Sequence, residues 1–205
     1  MPESRVAHSV ATGRQTVIDR MSEWLQAGQK AWLCTIVETW GSSPRPVGSW
    51  LAIAESGHWS GSVSGGCLEE DLLRRTAEDG PDHPVFVDYG ITDDDRDHFQ
   101  LPCGGRIRLL VEPLQGRAGL DHVQSLAAAL RRREPVVRYV PMKGVAALEH
   151  AVAMTGTSVR FDGEQLIHAL QPECRLLLIG AGEVARYVFE FATAAEFAVT
   201  LSGAL

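Results

Sequence analysis

The sequence predicts an α/β protein: an α+β first domain over residues 1–171, then a short β-α-β unit over residues 172–205. Three observations predict it. Helically spaced apolar residues alternate with β-branched and aromatic runs through the first domain, and glycines and prolines fall between those runs. After Gln171-Pro172-Glu173 the character changes to a strand, a glycine turn, a helix and a strand.

The elements follow in order. Val17, Ile18, Met21, Trp24 and Leu25 recur at helical spacing, with Gly28 as a stop. Ala31–Trp40 reads as a buried strand, and Gly41-Ser42-Ser43-Pro44-Arg45-Pro46-Val47-Gly48 can only be a loop. Ser49–Ala54 and His58–Ser64 read as a hairpin turning at Glu55-Ser56-Gly57. Ser64-Gly65-Gly66-Cys67 leads into a helix over Leu68–Ala77, whose acidic first turn (Glu69, Glu70, Asp71) suits the positive end of the helix dipole. A strand at Pro84–Tyr89 precedes the acidic run Asp93–Asp97, read as a solvated loop. Leu101-Pro102-Cys103-Gly104-Gly105 then leads into a strand, Ile107–Glu112, expected to end at Pro113, and a helix over Leu120–Arg133. Further strands are expected at Val136–Val140, Ala151–Met154, Thr157–Phe161 and Leu166–Ala169. His122 and His150 fall in or near helix-like segments and read as ordinary surface or core residues. In the last unit Arg175–Ile179 is a strand, Gly180-Ala181-Gly182 opens a helix to about Ala195, and Phe197–Leu201 is a strand.

Composition narrows the function. The 205 residues carry 19 basic and 26 acidic side chains, a net charge of −7, which argues against a nucleic-acid binder working through a broad basic face. No apolar stretch approaches the roughly 20 residues of a membrane span, and the first residues lack the pattern of a signal peptide. A cytoplasmic protein with reduced thiols is the expectation, since four widely spaced cysteines do not form a disulfide framework. Cys34 and Cys174 border or occupy apolar strands and read as packing residues.

Three segments carry candidate chemistry. Cys67 stands where a Gly-Gly loop meets a helix start, and the amides and dipole there would favour a thiolate. Gly65 and Gly66 let backbone approach a ligand, and free amides at a helix start bind anions. The competing reading is a tight turn that holds a small residue. Cys103 lies before Gly104-Gly105 on a loop that exposes a thiol, and two such cysteines from strand ends could converge. Their 36-residue spacing argues against structural zinc; His83 and His98 are the residues that could complete such a site. Arg45, held between two prolines, suits bidentate capture of phosphate or carboxylate, with Ser42, Ser43, Ser62 and Ser64 as added hydroxyl donors. Gly180-x-Gly182-x-x-Ala185 after a strand fits a dinucleotide phosphate turn. The second strand, however, runs into Ser202-Gly203-Ala204-Leu205 without the acidic residue that would hold a ribose, so NAD(P) is not expected.

Taken together, Thr39-Trp40-Gly41-Ser42-Ser43-Pro44-Arg45-Pro46-Val47-Gly48 and Gly61-Ser62-Val63-Ser64-Gly65-Gly66-Cys67-Leu68-Glu69 resemble the N-terminal signature of the XdhC/CoxI family. Cys103-Gly104-Gly105 with Leu109–Leu114 resembles its second motif, and Leu177–Ala185 the start of its Rossmann domain, here expected to be truncated. Pro102 departs from the glycine often found before the second cysteine. The resemblance implies an accessory factor rather than a catalyst. Such a factor binds the molybdenum cofactor (molybdopterin), guards it while a cysteine desulfurase supplies its terminal sulfur, and inserts it into a xanthine dehydrogenase-type apo-enzyme. It also implies that Cys67 and Cys103 are the chemical residues or the contacts to molybdenum or sulfur. Arg45, Ser64, Gly65, Gly66, Gly104, Gly105, Gly180 and Gly182 would then bind the rest of the cofactor, the arginine and glycine turns serving its phosphate. Two alternatives stand beside it: a nicotinamide-dependent oxidoreductase, and a non-catalytic interaction module that dimerises through an exposed strand edge. A homo-oligomer is expected on the same ground.

Overall fold

The computed structural model describes residues 13–41, 43–90, 105–150, 158–171, 175–180, 182–194 and 197–203. Helix α1 (Arg14–Gln26) leads into β1 (Ala31–Trp40), β2 (Trp50–Ala54) and β3 (Trp59–Gly61). Next come α2 (Cys67–Asp79), β4 (Val85–Tyr89), β5 (Arg106–Leu114) and α3 (Gly116–Arg132). The five strands form one antiparallel sheet in the order β3-β2-β1-β5-β4.

This sheet is covered on both faces, which explains why β1 reads as continuously apolar rather than alternating. Its odd-numbered Ala31 and Leu33 join Val17, Ile18, Met21 and Leu25 of α1 and Val123 and Leu126 of α3. Trp32, Cys34 and Ile36 face the other way, onto Leu68 and Leu72 of α2 with Leu109 and Val111 of β5. Each fully buried aliphatic side chain contributes about 1.5–3 kcal/mol, so the two layers fix which face of β1 meets which helix.

Pro113 does not end β5, contrary to expectation. It pairs with Trp32 of β1, while β4 reaches along β5 only as far as Val111. The proline therefore sits where β5 has a neighbour on one side alone, and its missing N–H breaks no ladder on the other side.

A second antiparallel sheet follows, in the order β7-β6-β9-β8, from β6 (Val136–Pro141), β7 (Ala147–His150), β8 (Ser158–Phe161) and β9 (Gln165–Leu170). Its Val140 and Leu166 pack on Val37 and Leu110 of the first sheet. His150 thus ends a strand instead of belonging to a helix-like segment, because Val136 and Val137 of β6 pair with His150 and Glu149. The strand expected at Ala151–Met154 lies outside the described residues. The last unit has β10 (Arg175–Ile179), α4 (Glu183–Ala194) and β11 (Ala198–Ser202), with β10 and β11 paired in parallel.

A polar layer lies beneath α3. Arg138 of β6, fully buried, donates from Nη2 to Glu112 of β5 and from Nε to His122 Nε2 of α3 at 2.9 Å. Beside it His168 of β9, Arg138's cross-strand partner, is also fully buried and stands edge-on to Trp50 with ring centres 5.4 Å apart. Burial first, and then the Arg138 charge, push the His122 imidazole down to about 3 and His168 well below its ordinary value. Both rings are therefore neutral at pH 7.

Candidate functional site

Strand register gathers the predicted segments at one end of the five-stranded sheet. Trp40, the last residue of β1, pairs with Arg106, the first of β5. Thr35 pairs with Trp50, and Leu51 with Gly61 at the close of β3. Tyr89, at the close of β4, pairs with Ile107. The Arg45 loop, the loop entering α2 and the chain entering β5 at Gly105 all therefore emerge from the same edge. Cys103 and Gly104 lie outside the described residues, as does Ser42.

Gly41 and Gly105 show how closely two of these loops approach. Gly41 has φ +78°, and a Cβ built on it would stand 3.4 Å from Gly105 Cα. A side chain at Gly41 would be both strained and crowded against the neighbouring backbone. Arg45 follows in the same loop, half-buried, and its carbonyl accepts a 2.8 Å hydrogen bond from Ser43 Oγ.

The loop before α2 differs from the expectation in an important respect. Its amides are not free for an outside anion: they enclose the carboxylate of Glu69, which is 2% exposed. Oε1 accepts from Ser62 Oγ at 2.8 Å and from the amides of Val63, Ser64 and Gly65 at 2.8, 2.9 and 3.2 Å. Oε2 accepts from the Gly66 amide at 2.9 Å and from Ser64 Oγ. Ser64 Oγ also accepts from the Leu68 amide at 3.1 Å, so it caps the helix. Phosphate binding by the Gly65 and Gly66 amides and the Ser62 and Ser64 hydroxyls is corrected accordingly: an internal anion already holds them.

Burial opposes ionisation of Glu69, but the bonds from Ser64, Ser62 and Val63 outweigh it and pull the carboxyl down to about 2. The backbone of Cys67, at the first position of α2, is held by this knot. The other side of α2 is anchored by Asp71, which accepts from the buried Tyr89 hydroxyl at 2.8 Å and from Arg74 and Arg75. Cys34 is buried, and burial first and the Glu69 charge second raise its thiol to about 12, so it packs as an inert side chain.

Gly180 and Gly182 do not share this sheet end; they follow β10 in the β-α-β unit. The Gly180 amide donates to the Ser202 carbonyl at 2.8 Å, closing the turn onto β11. A Cβ at either glycine would meet nothing within 4 Å. Among the described residues no group of three or more metal-ligating side chains comes together, and no helix is long and apolar enough to cross a membrane.

An antiparallel sheet covered on both faces, with the Arg45 loop, the loop entering α2 and the Gly105 segment at one end, defines the α/β architecture of this chain. Residues 24–90 match the XdhC and CoxI family model. The chain is 30% identical over 190 residues to the molybdenum cofactor insertion chaperone PaoD of Escherichia coli K12, covering 89% of this chain and 56% of PaoD. Its fold is similar to a crystal structure described as a xanthine dehydrogenase from Bacillus halodurans, with TM-score 0.64 and 21% identity, covering 90% of this chain and 61% of that one. The chain is thus similar to the XdhC and CoxI family over residues 24–90 and to a little more than half of PaoD. It spans little more than half the length of these relatives.

Proposed function

We propose that this chain acts as a molybdenum cofactor chaperone: it binds the cofactor, assists its sulfuration and delivers it to a xanthine dehydrogenase-type molybdenum hydroxylase. The observation that carries the reading is the convergence of the Arg45 loop, the start of α2 at Cys67 and the Gly105 segment on one sheet edge. The family match and the likeness to PaoD support it.

The donor set suits such a cargo. Thiolates are soft ligands for a sulfur-rich metal centre, and a loop thiolate can carry sulfur as a persulfide. In this reading Cys67 and Cys103 meet the metal or its sulfur, and Arg45 takes the terminal phosphate through its guanidinium fork. Because Glu69 occupies the loop amides, anion capture falls to side-chain cations. The desulfurase and the apo-enzyme are the partners of this reading. The test is co-purification with the cofactor followed by oxidative release of the fluorescent pterin. Wild type should retain pterin and a Cys67→Ser, Cys103→Ser double variant should lose most of it; equal amounts would refute the thiol assignment.

Self-association is a second reading with its own observation. Leu177, Ile179 and Leu201 of β10 and β11 and Val184 and Phe191 of α4 are exposed, although a parallel pair is ordinarily covered on both faces. Light scattering over a range of concentrations should give a dimer mass, and a monomer throughout would remove this reading.

A further inference from the structure

We propose that Trp40 and Arg106 form a recognition lip at the loop-bearing edge, the indole taking a flat heteroaromatic ring and the guanidinium an attached phosphate. The inference rests on the cofactor-binding reading above and assigns to it two residues outside the cysteine and Ser-Pro-Arg-Pro motifs.

Placement comes first. Trp40 closes β1 and Arg106 opens β5; they are direct cross-strand partners and stand next in sequence to Gly41 and Gly105. The two glycines keep the adjoining backbone free of side chains where the loops meet. Trp40 is 41% exposed, although the same strand buries Trp32. Its ring carries the Arg106 guanidinium carbon 4.4 Å from the centroid, which fixes the orientation of the cation without neutralising it.

The charge of Arg106 is also weakly spent. Among the described residues its ion-pair partner, Asp88, is 3.6 Å away and is already gripped by Arg108 through Nε at 2.8 Å and Nη2 at 3.0 Å. Arg106 Nε is buried and has no hydrogen-bond partner among the described residues. Among the described residues Arg108, with Glu38 as its cross-strand partner, makes the closer contacts to Asp88, so Arg106 holds only the longer one, beside loops whose amides Glu69 has taken.

The chemistry of the pair defines the ligand class. An aromatic face gives area to a planar ring, and a guanidinium fork gives paired hydrogen bonds to phosphate oxygens. A ligand with one feature but not the other would use half of the lip.

The experiment titrates molybdopterin, released anaerobically from a cofactor-containing protein, and separately flavin mononucleotide. Binding is read by calorimetry and by tryptophan fluorescence on wild type, Trp40→Ala, Trp40→Phe, Arg106→Ala and Arg106→Lys. Urea midpoints establish that each variant is folded; Trp40→Phe and Arg106→Lys are the conservative versions should either alanine variant unfold. Molybdopterin affinity should fall about tenfold or more in Arg106→Ala and recover only in part in Arg106→Lys. Trp40→Phe should keep most of the affinity but lose the ligand-induced quenching, which a merely structural role for Trp40 would leave unchanged. Binding of both ligands to both alanine variants as tightly as to wild type overturns the lip and leaves the cofactor reading standing. Binding of flavin mononucleotide that depends on Trp40 and Arg106, without any binding of molybdopterin, supports the lip and overturns the cofactor reading. If neither ligand binds wild type, the lip is overturned.

Discussion

Replacing Glu69 by glutamine tests the knot that holds the start of α2. The carboxylate accepts four donors at Oε1 and two at Oε2. An amide can keep its oxygen at the first set. Its NH2 group then meets the Gly66 amide donor, and the charge that strengthened every bond is gone. The folded protein holds the carboxyl at about 2 against an ordinary 4.5, which corresponds to about 3 kcal/mol favouring the ionised form. Because the folded value is the lower one, this stabilisation is complete above pH 4.5 and is lost as pH falls towards 2. At pH 3 less than half of it should remain. Glu69→Gln should therefore lower the unfolding free energy by about 3 kcal/mol at pH 7, roughly 6–12 °C in Tm for a chain of this size. The assay is urea unfolding of both proteins at pH 7, 5, 4 and 3. A variant within 0.5 kcal/mol of wild type at pH 7, or a gap that does not narrow between pH 5 and pH 3, would refute the reasoning.

Three other outcomes follow from the packing. Gly61→Ala should destabilise by about 2 kcal/mol or more in a thermal melt, since its φ is +93° and its Cβ would meet the Trp50 carbonyl oxygen at 2.3 Å. Arg138→Met should cost about 3–5 kcal/mol in urea unfolding by stranding Glu112 in the core, and a paired Arg138→Met, Glu112→Leu variant should recover most of it. His122, folded at about 3 against an ordinary 6.5, binds its proton more readily when unfolded. Stability should fall as pH drops from 6.5 towards 3, and His122→Gln should flatten that slope in a pH series of urea midpoints.

Periodicity was a reliable guide wherever one physical cause dominated. The α1 stripe, the unbroken apolar run of β1 and the acidic first turn of α2 all reappear in the fold. Pro113 misled because a residue-level rule about missing donors depends on which side of the strand has a neighbour. His122 lies buried on a helix, as read, but its partner, Arg138, stands sixteen residues away on another element and could not be named from the sequence. In the site, the loops could be recognised by their glycines and prolines, whereas the occupant of the α2 loop could not. The sequence displayed Glu69 as a helix-dipole residue; only the fold of the preceding loop turns six donors onto it. Trp40 stood out only as a member of its motif and Arg106 not at all, because their contact exists only through the β1–β5 register.

That register has a consequence for how the site can fail. The β1–β5 ladder shifts by one residue between Ile36 and Glu38, and beyond the shift it runs Glu38 to Arg108, Thr39 to Ile107 and Trp40 to Arg106. The irregularity works like the zero mark of a ruler, since it sets how far each loop lies along the edge. An inserted or deleted residue near Val37 would carry Gly41 away from Gly105 and turn the following side chains to the opposite face, with every motif residue intact. Loss of function can thus originate in the middle of the sheet, at positions that never touch a ligand.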